Sequence, residues 1–443
     1  MKTFKLGGVH PPENKFSAES AIQVLALPKQ VSIPLAQNLG VPAKPIVNKG
    51  DEVKVGQLIA RGEAFISASV HSSVSGKVLK IDDVPDQTGY RRPAIIINVE
   101  GDEWEENIDR TDIIKKDFSL GKDEIINKIK ESGIVGLGGA TFPSHVKLMV
   151  PEGKKADVLI INGVECEPYL TSDHRLMLEK TEEILIGTKI LMKGLGVDKA
   201  YIGIENNKPD AIEKLRQFAA SYEGIEVEGL KVKYPQGGEK QLIKALTGRE
   251  VPSGKLPIEV GCVVNNVGTA FAVYEAVQKN KPLFERIVTV TGKNLKEKAN
   301  FLVRIGTPVS DLLKTLGDLP ENTGKVVSGG PMMGKALNNI DVPVVKGTSG
   351  ILLFEEKEAR RVPTLTCIRC AKCIHACPMG LEPVLLAQLS ENERWEAAEK
   401  EKVMDCIECG SCQYTCPSGR PLLDYIRLGK QKVGQLIRNR GKK

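Results

Sequence analysis

Eight of this chain's ten cysteines fall in two copies of one spacing. Cys367, Cys370, Cys373 and Cys377, with Pro378 next, are followed by Cys406, Cys409, Cys412 and Cys416, with Pro417 next. Each run reads C-x-x-C-x-x-C-x-x-x-C-P, the spacing of paired iron–sulfur cubes. Three thiolates on one tight turn cover three corners of a cube. The fourth, past a longer gap and just before proline, points away and ligates the neighbouring cluster. Cys367, Cys370, Cys373 and Cys416 are therefore expected to hold one [4Fe–4S] cluster, and Cys406, Cys409, Cys412 and Cys377 the second. Structural zinc ribbons use paired C-x-x-C knuckles without a crossed fourth ligand, so the spacing favours clusters. A chain folded around two such centres moves single electrons.

Its 443 residues suggest three or four domains, and 41% hydrophobic content lets each bury a core. Aromatic content of 5% argues against a surface of stacked rings for nucleic acid or carbohydrate. Absence of a long apolar run argues against a transmembrane segment, and the start Met1-Lys2-Thr3-Phe4 against a secretory leader. Clustered cysteines then fit a reducing, cytoplasmic compartment. From Pro417 onward Arg420, Arg427, Lys430, Lys432, Arg438, Arg440, Lys442 and Lys443 face only Asp424. This is either a solvated tail or a dock for an acidic partner or anionic lipid.

Along the chain four regions differ in texture. Residues 1–115 contain short glycine-punctuated strands, as in Val47–Ala60 and Val70–Val78. They are similar to the barrel-sandwich fold of lipoyl and biotinyl carriers, but Glu63–His71 lacks the carrier lysine, so the module is read as structural. Residues 116–284 alternate strand and helix, which predicts helices packed on a largely parallel sheet. Its strands are expected at Ala156–Ile161, Ala200–Ile204, Ile225–Val232 and Cys262–Val264. Its helices are expected at Asp173–Lys193, Pro209–Ala220, Lys240–Leu246 and Ala270–Lys279. Residues 285–345 read as a small α+β, β-grasp-like module. Residues 346–443 read as helices around the cysteine turns, and the long stretch from 378 to 405 suggests the all-helical variant of a two-cluster ferredoxin.

Four loops of the α/β region carry the remaining chemistry. Gly136-Leu137-Gly138-Gly139 leads through Phe142 and Pro143 to Lys147, which lies where it can meet a phosphate or flavin oxygen. Asn162-Gly163-Val164-Glu165-Cys166-Glu167-Pro168 directly follows a strand. Tyr234-Pro235-Gln236-Gly237-Gly238-Glu239 is another strand-to-helix turn. Asn265-Asn266-Val267-Gly268-Thr269 can cap a helix and offer free amides to a phosphate.

In this order the loops resemble the FMN- and NADH-binding subunit of respiratory complex I. The resemblance implies that Gly136, Gly138, Gly139, Lys147, Asn162, Glu165, Tyr234, Gly237, Glu239, Asn265, Asn266 and Thr269 surround FMN. It also implies that Phe142 stacks on the adenine side of NADH, that Glu167 lies near the dinucleotide, and that Glu165 and Glu239 are the catalytic carboxylates. Two positions depart from the family pattern, Val164 for an aspartate and Gly238 for a glutamate.

The whole chain is similar to the RnfC subunit of the Rnf complex, an ion-translocating ferredoxin:NAD oxidoreductase. The opening Gly7-Gly8-Val9-His10-Pro11-Pro12, the Tyr234–Lys240 loop, Ser328-Gly329-Gly330-Pro331-Met332-Met333-Gly334 and both cysteine runs carry that match. It implies a peripheral subunit on the cytoplasmic face of the membrane, with FMN, two [4Fe–4S] clusters and NAD(H), docked on the other Rnf subunits and indirectly on ferredoxin. Two rivals are a cobalamin reductase of a microcompartment, with the same domain layout, and a relay or assembly subunit without NADH activity.

Overall fold

The computed structural model describes residues 1–317 and 319–441 of the chain. Its central sheet has four strands, in the order Ile225–Leu230, Ala200–Glu205, Val158–Asn162 and Cys262–Asn266, with every pair parallel. Helices on the sheet's faces explain why these strands read as runs of Val, Ile and Ala. The expected strand ends differ from the observed ones by at most two residues. Strands run outward from Val158–Asn162 in one direction, and the chain then returns to place Cys262–Asn266 on its other side. The order therefore reverses between these two strands, with Asn265 opposite Ile161 and Asn266 opposite Asn162. Open parallel sheets bind ligands beyond the strand carboxyl ends at such a reversal.

The single helix expected over Asp173–Lys193 is two, Ser172–Glu179 and Thr181–Leu195, divided at Lys180 with φ −129° and ψ 39°. Thr181 spends its hydroxyl on the Met177 carbonyl at 2.6 Å. The change of direction lays the second helix against Val267–Lys279. There a Cβ on Gly187 would fall 1.9 Å from the Ala270 carbonyl oxygen, so only glycine permits the approach.

Two small sheets make the N-terminal module. One contains Gln30–Pro34, Arg91–Val99, Gly76–Pro85 and Glu52–Val53, the other Lys44–Pro45, Leu58–Arg61 and Val70–His71. Val31, Ile33, Ile59, Val70, Ile95 and Ile97 fill the space between them.

A mixed six-stranded sheet follows, in the order Ile22–Val24, Ala299–Arg304, Glu285–Gly292, Gly350–Glu355, Thr323–Ser328 and Lys335–Ala336. It also takes in strands from outside residues 285–345 on both sides. Gly350–Glu355 lies near the sheet's middle, with Ile351, Leu352 and Leu353 all buried, and Ile22–Val24 contributes an edge from the N-terminal region. Both strands are brought in by pairing across long sequence separations, which a local pattern does not register.

The cysteine turns lie among short helices, Lys372–Ala376, Pro383–Glu391, Trp395–Lys400 and Ser411–Tyr414, and the long helix Leu422–Arg440. Leu386, Ala387, Ala398, Val403, Ile426 and Val433 form their core. Much of the basic tail is paired internally. Arg427 and Lys430 both meet Glu408, Arg420 meets Glu391, and Arg440 meets Glu399. Lys442 and Lys443 lie outside the described residues. Among the described residues no helix is long and apolar enough to cross a membrane.

Candidate functional site: a strand-end crevice and two thiol sets

The glycine loop lies over the reversal point. Its Leu137 amide donates to Thr269 Oγ1 at 3.0 Å, and a Cβ on Gly138 would stand 2.9 Å from the Asn266 amide nitrogen. Gly139 opens onto space. Asn266 caps the helix Val267–Lys279 by accepting from the Gly268 amide at 2.8 Å, which leaves its own NH2 for Asp173 at 2.6 Å. Lys147 crosses from the neighbouring helix to the Val264 carbonyl at 2.8 Å and the Glu239 carboxylate at 3.3 Å. Asn162 bridges its own strand to the next loop through the Gly237 carbonyl at 2.9 Å. Between these groups Asn265 is 3% exposed, and neither its amide oxygen nor its nitrogen has a partner. A buried side chain with both polar ends unpaired is costly unless something else satisfies it.

Lys147, Asn162, Gly237, Glu239, Asn266 and Thr269, with the loop Gly136–Gly139, thus meet beyond the carboxyl ends of Val158–Asn162 and Cys262–Asn266. Phe142 is half-buried in the same loop, its carbonyl accepting from the Gly136 amide at 2.9 Å. Glu165 behaves differently. With φ 46° it turns its carboxylate back onto the start of the helix Ser172–Glu179, accepting from the Asp173 amide at 2.8 Å and the His174 amide at 3.2 Å. That carboxylate is a helix cap, which runs against the expectation of a catalytic role. Asp173 carries no signal in the sequence, because an acid in a first helical turn looks like an ordinary partner of the helix dipole. Here it is half-buried and bonded to Asn266, and desolvation, followed by Glu165, raises its pKa to about 7.

Both departures from the complex I pattern have a physical reading. Val164 is fully buried in a cluster with Val158, Ile160, Leu242 and Ile243, so its side chain faces core rather than ligand. A Cβ on Gly238 would lie 2.5 Å from Gln241 Oε1. Glycine there leaves Gln241 free to donate to the Pro378 carbonyl at 3.1 Å.

Tyr234 and Glu167 make their side-chain contacts at the junction with the cysteine domain. Tyr234 is 2% exposed and donates its hydroxyl to the Cys409 carbonyl at 2.8 Å. Glu167 accepts from the Met332 and Met333 amides at 3.0 and 2.9 Å. Both side chains turn toward the cysteine domain, a relationship the motif alone does not disclose.

Cys377, Cys406, Cys409 and Cys412 line one partly open, apolar cavity together with Pro378, Leu381, Leu386 and Ile426. Burial, then Cys406, Cys409 and Cys377, pushes the Cys412 thiol up, and Cys377 acts in the same direction on Cys406 and Cys409. Cys377 therefore sits with the second run, although it closes the first. Burial also raises the Cys373 thiol, and the cysteine that adds to this is Cys416, from the other run. Among the described residues no three Cys, His, Asp or Glu side chains converge as around a single ion. A cube spreads its four ligands over its corners, so four thiols around an apolar cavity are the donor set it requires. The first set is more open, with Cys370 exposed and Cys367 half-buried.

One thiol quartet around a cavity, and Cys373 close to Cys416 across the two runs, beside a strand-end site with glycine-loop and amide lining define an electron-transfer protein of the iron–sulfur flavoprotein class. Family models agree along the chain: the RnfC barrel sandwich hybrid domain over residues 2–102, the Nuo51 FMN-binding domain over 129–275, the SLBB domain over 287–336 and the 4Fe-4S dicluster domain over 361–417. The chain belongs to the RnfC family of Rnf complex subunits. It is 48% identical to the C subunit of the proton-translocating ferredoxin:NAD(+) oxidoreductase complex of Clostridium ljungdahlii, over 90% of this chain and 87% of the relative. It is 45% identical to the Na(+)-translocating counterpart of Acetobacterium woodii, over 97% of both chains. It is 41% identical to the C subunit of the ion-translocating oxidoreductase complex of Rhodobacter capsulatus, over 98% of this chain and 84% of that one. Among solved structures, an NAD+-reducing [NiFe]-hydrogenase in the H2-reduced state matches 70% of this chain and 62% of its own with a TM-score of 0.50. At 19% identity that match speaks to fold alone.

Proposed function

We propose that this protein is the NAD(H)-linked electron-transfer subunit of a membrane-bound, ion-translocating ferredoxin:NAD oxidoreductase, attached peripherally at the cytoplasmic face and docked on the other subunits of its complex. The observation that carries this reading is the meeting of two redox-type sites in one fold. A quartet of thiols closes around a cavity, and the loop bearing them is tied by Tyr234 and Gln241 to the strand-end loops of the α/β domain.

FMN takes up a hydride as an electron pair whereas a [4Fe–4S] cluster carries one electron, so holding both connects NAD(H) to one-electron partners. In this reading Gly138 and Gly139 let the main chain approach the flavin, and Lys147 supplies a cation. Asn162, Asn266, Thr269, Gly136 and Gly237 shape the crevice floor, and the unpaired Asn265 amide supplies the hydrogen bonds. Glu239 stands at the rim, half of an ion pair with Lys147, and is the carboxylate placed to meet the dinucleotide. Phe142 offers a ring for the adenine. Glu165 supports the floor from behind as a cap. Exposed Leu365 and Ile368 flank Cys367 and Cys370, which suits the first thiol set to face a partner protein of the complex. The six-stranded module fits a β-grasp-like core, and the cysteine domain the all-helical ferredoxin variant.

Anaerobic purification followed by flavin and iron analysis tests this. The reading expects one releasable FMN and eight irons per chain, the content of two four-iron clusters. Iron without flavin in the intact complex would sink it.

A further inference from the structure

The loop Ser328-Gly329-Gly330-Pro331-Met332-Met333-Gly334 is a motif that neither cofactor site absorbs. It leaves the strand Thr323–Ser328 and stops between the α/β domain and the cysteine domain. On one side Glu167 accepts its Met332 and Met333 amides, and a Cβ on Gly330 would lie 2.1 Å from Glu167 Oε2, so the loop must be glycine there. On the other side the Met332 carbonyl presses on Gly410, where a Cβ would stand 2.9 Å away, and Arg427 donates to the Met333 carbonyl at 3.4 Å. Tyr234 runs through the same junction. Its main chain exchanges both hydrogen bonds with Val9 at 2.8 and 2.9 Å, and Gly8 donates to the Ala376 carbonyl at 2.9 Å. The Tyr234 ring packs with Val9, Ala376 and Cys409, and its hydroxyl ends 2.8 Å from the Cys409 carbonyl and 3.5 Å from Glu167 Oε1.

We infer that Tyr234 and Glu167 are positioning residues for the cluster site of Cys377, Cys406, Cys409 and Cys412, clasping it to the α/β domain, and that they are not contacts of the flavin. The inference rests on the cofactor content proposed above. An O–H donated to the Cys409 carbonyl would withdraw electron density from a residue that would ligate the cluster, and hydrogen bonds around a cluster are a principal lever on its potential. Glu167 supplies rigidity. Its two oxygens hold two consecutive amides, and the same loop then covers the turn at Gly410.

The test uses the purified holoprotein with Tyr234→Phe and Glu167→Gln. Phenylalanine keeps the buried ring and removes only the donor. Glutamine keeps the shape but can accept from only one of the two amides. Redox titration followed by electron paramagnetic resonance reads both clusters, with Cys370→Ser assigning the signal of the other set. Tyr234→Phe is expected to retain flavin and both clusters and to lower the midpoint of the Cys406-set cluster alone, by up to about 59 mV, a tenfold change in a one-electron equilibrium. Glu167→Gln is expected to retain flavin and to release iron from that set to a chelator several-fold faster than wild type. The Cys367-set signal should stay fixed in both. Loss of flavin from Tyr234→Phe would overturn the inference in favour of a flavin contact, and unmoved potentials with unmoved iron release would reduce the clasp to packing. Should Tyr234→Phe fail to fold, Glu167→Gln carries the same test. A wild-type protein without FMN or clusters would instead refute the proposed function.

Discussion

Gly7 lies so close to Cys377 that a Cβ on the glycine would fall 2.4 Å from the cysteine's carbonyl carbon and oxygen. Gly7 also adopts φ 64°, which disfavours any other residue. The opening of the chain therefore braces the loop whose thiol crosses to the second cysteine set. Gly7→Ala is expected to retain flavin while losing iron from that set, up to half the total. Iron and flavin analysis of the purified variant checks this, and full iron content would show that the contact is dispensable.

Crossed ligation has its own test. Cys377 shares a cavity with Cys406, Cys409 and Cys412, so Cys377→Ala should damage their cluster and spare that of Cys367, Cys370, Cys373 and Cys416. Electron paramagnetic resonance of the reduced variant distinguishes the two. Loss confined to the Cys367 set would contradict the crossing.

Asn265 and Glu239 probe the crevice. Asn265→Ala removes a buried amide that has no protein partner, so its folding cost should be small and its flavin cost large. One or two neutral hydrogen bonds at about 1 kcal/mol each imply a flavin dissociation constant raised roughly five- to thirty-fold. Glu239→Ala also frees Lys147 and should weaken dinucleotide binding more than flavin binding. Fluorescence titration with FMN measures the first, and NADH titration of the flavin-loaded protein the second. Unaltered affinities in both variants would place the flavin elsewhere.

His71 gives the N-terminal module an acid sensitivity. Burial, then Lys346, lowers its pKa to about 3, and its Nδ1 has no partner. The imidazole is thus neutral when folded but protonates near 6.5 when unfolded. Between these values the unfolded chain binds the extra proton, so stability falls as pH falls, by about 1.4 kcal/mol per unit. Its contribution is complete above pH 6.5 and declines toward pH 3. Thermal melts at pH 7 and pH 5 should therefore differ by roughly 2 kcal/mol in wild type, and by less in His71→Gln. Equal pH dependence in both proteins would show that another group controls the acid transition.

Much of this was legible in the residues, because the features concerned are local. Cysteine spacing made it legible that Cys377 lies beside Cys406, Cys409 and Cys412, since three thiols on one turn leave a fourth facing away. Continuous Val and Ile runs marked the parallel strands because both their faces are covered, and Asn266 marked a helix start. What the sequence hid depends on contacts between distant segments. Gly350–Glu355 is an apolar hexapeptide whose place near the middle of a sheet is set by its partners. The break at Lys180 answers to packing on Val267–Lys279. Tyr234 and Glu167 belong to a motif that resembles a flavin site, yet their side chains turn to Cys409, Met332 and Met333 because the cysteine domain docks there. Glu165 reads as a free carboxylate until its left-handed backbone aims it at the following helix.

Phe142 bears on dinucleotide affinity. An aromatic contact contributes about 0.5–1.5 kcal/mol beyond area burial. Phe142→Ala should therefore raise the NADH dissociation constant by up to about tenfold and leave flavin content intact. An unchanged dissociation constant would remove the ring from the dinucleotide site.

Whether this chain connects NAD(H) to one-electron centres is read by anaerobic stopped-flow with NADH. In the flavin- and cluster-loaded protein within its assembled complex, NADH should bleach the oxidised-flavin band, and the cluster absorbance should then follow. If flavin and clusters remain oxidised under excess NADH, the account is contradicted and the chain is a relay or assembly subunit.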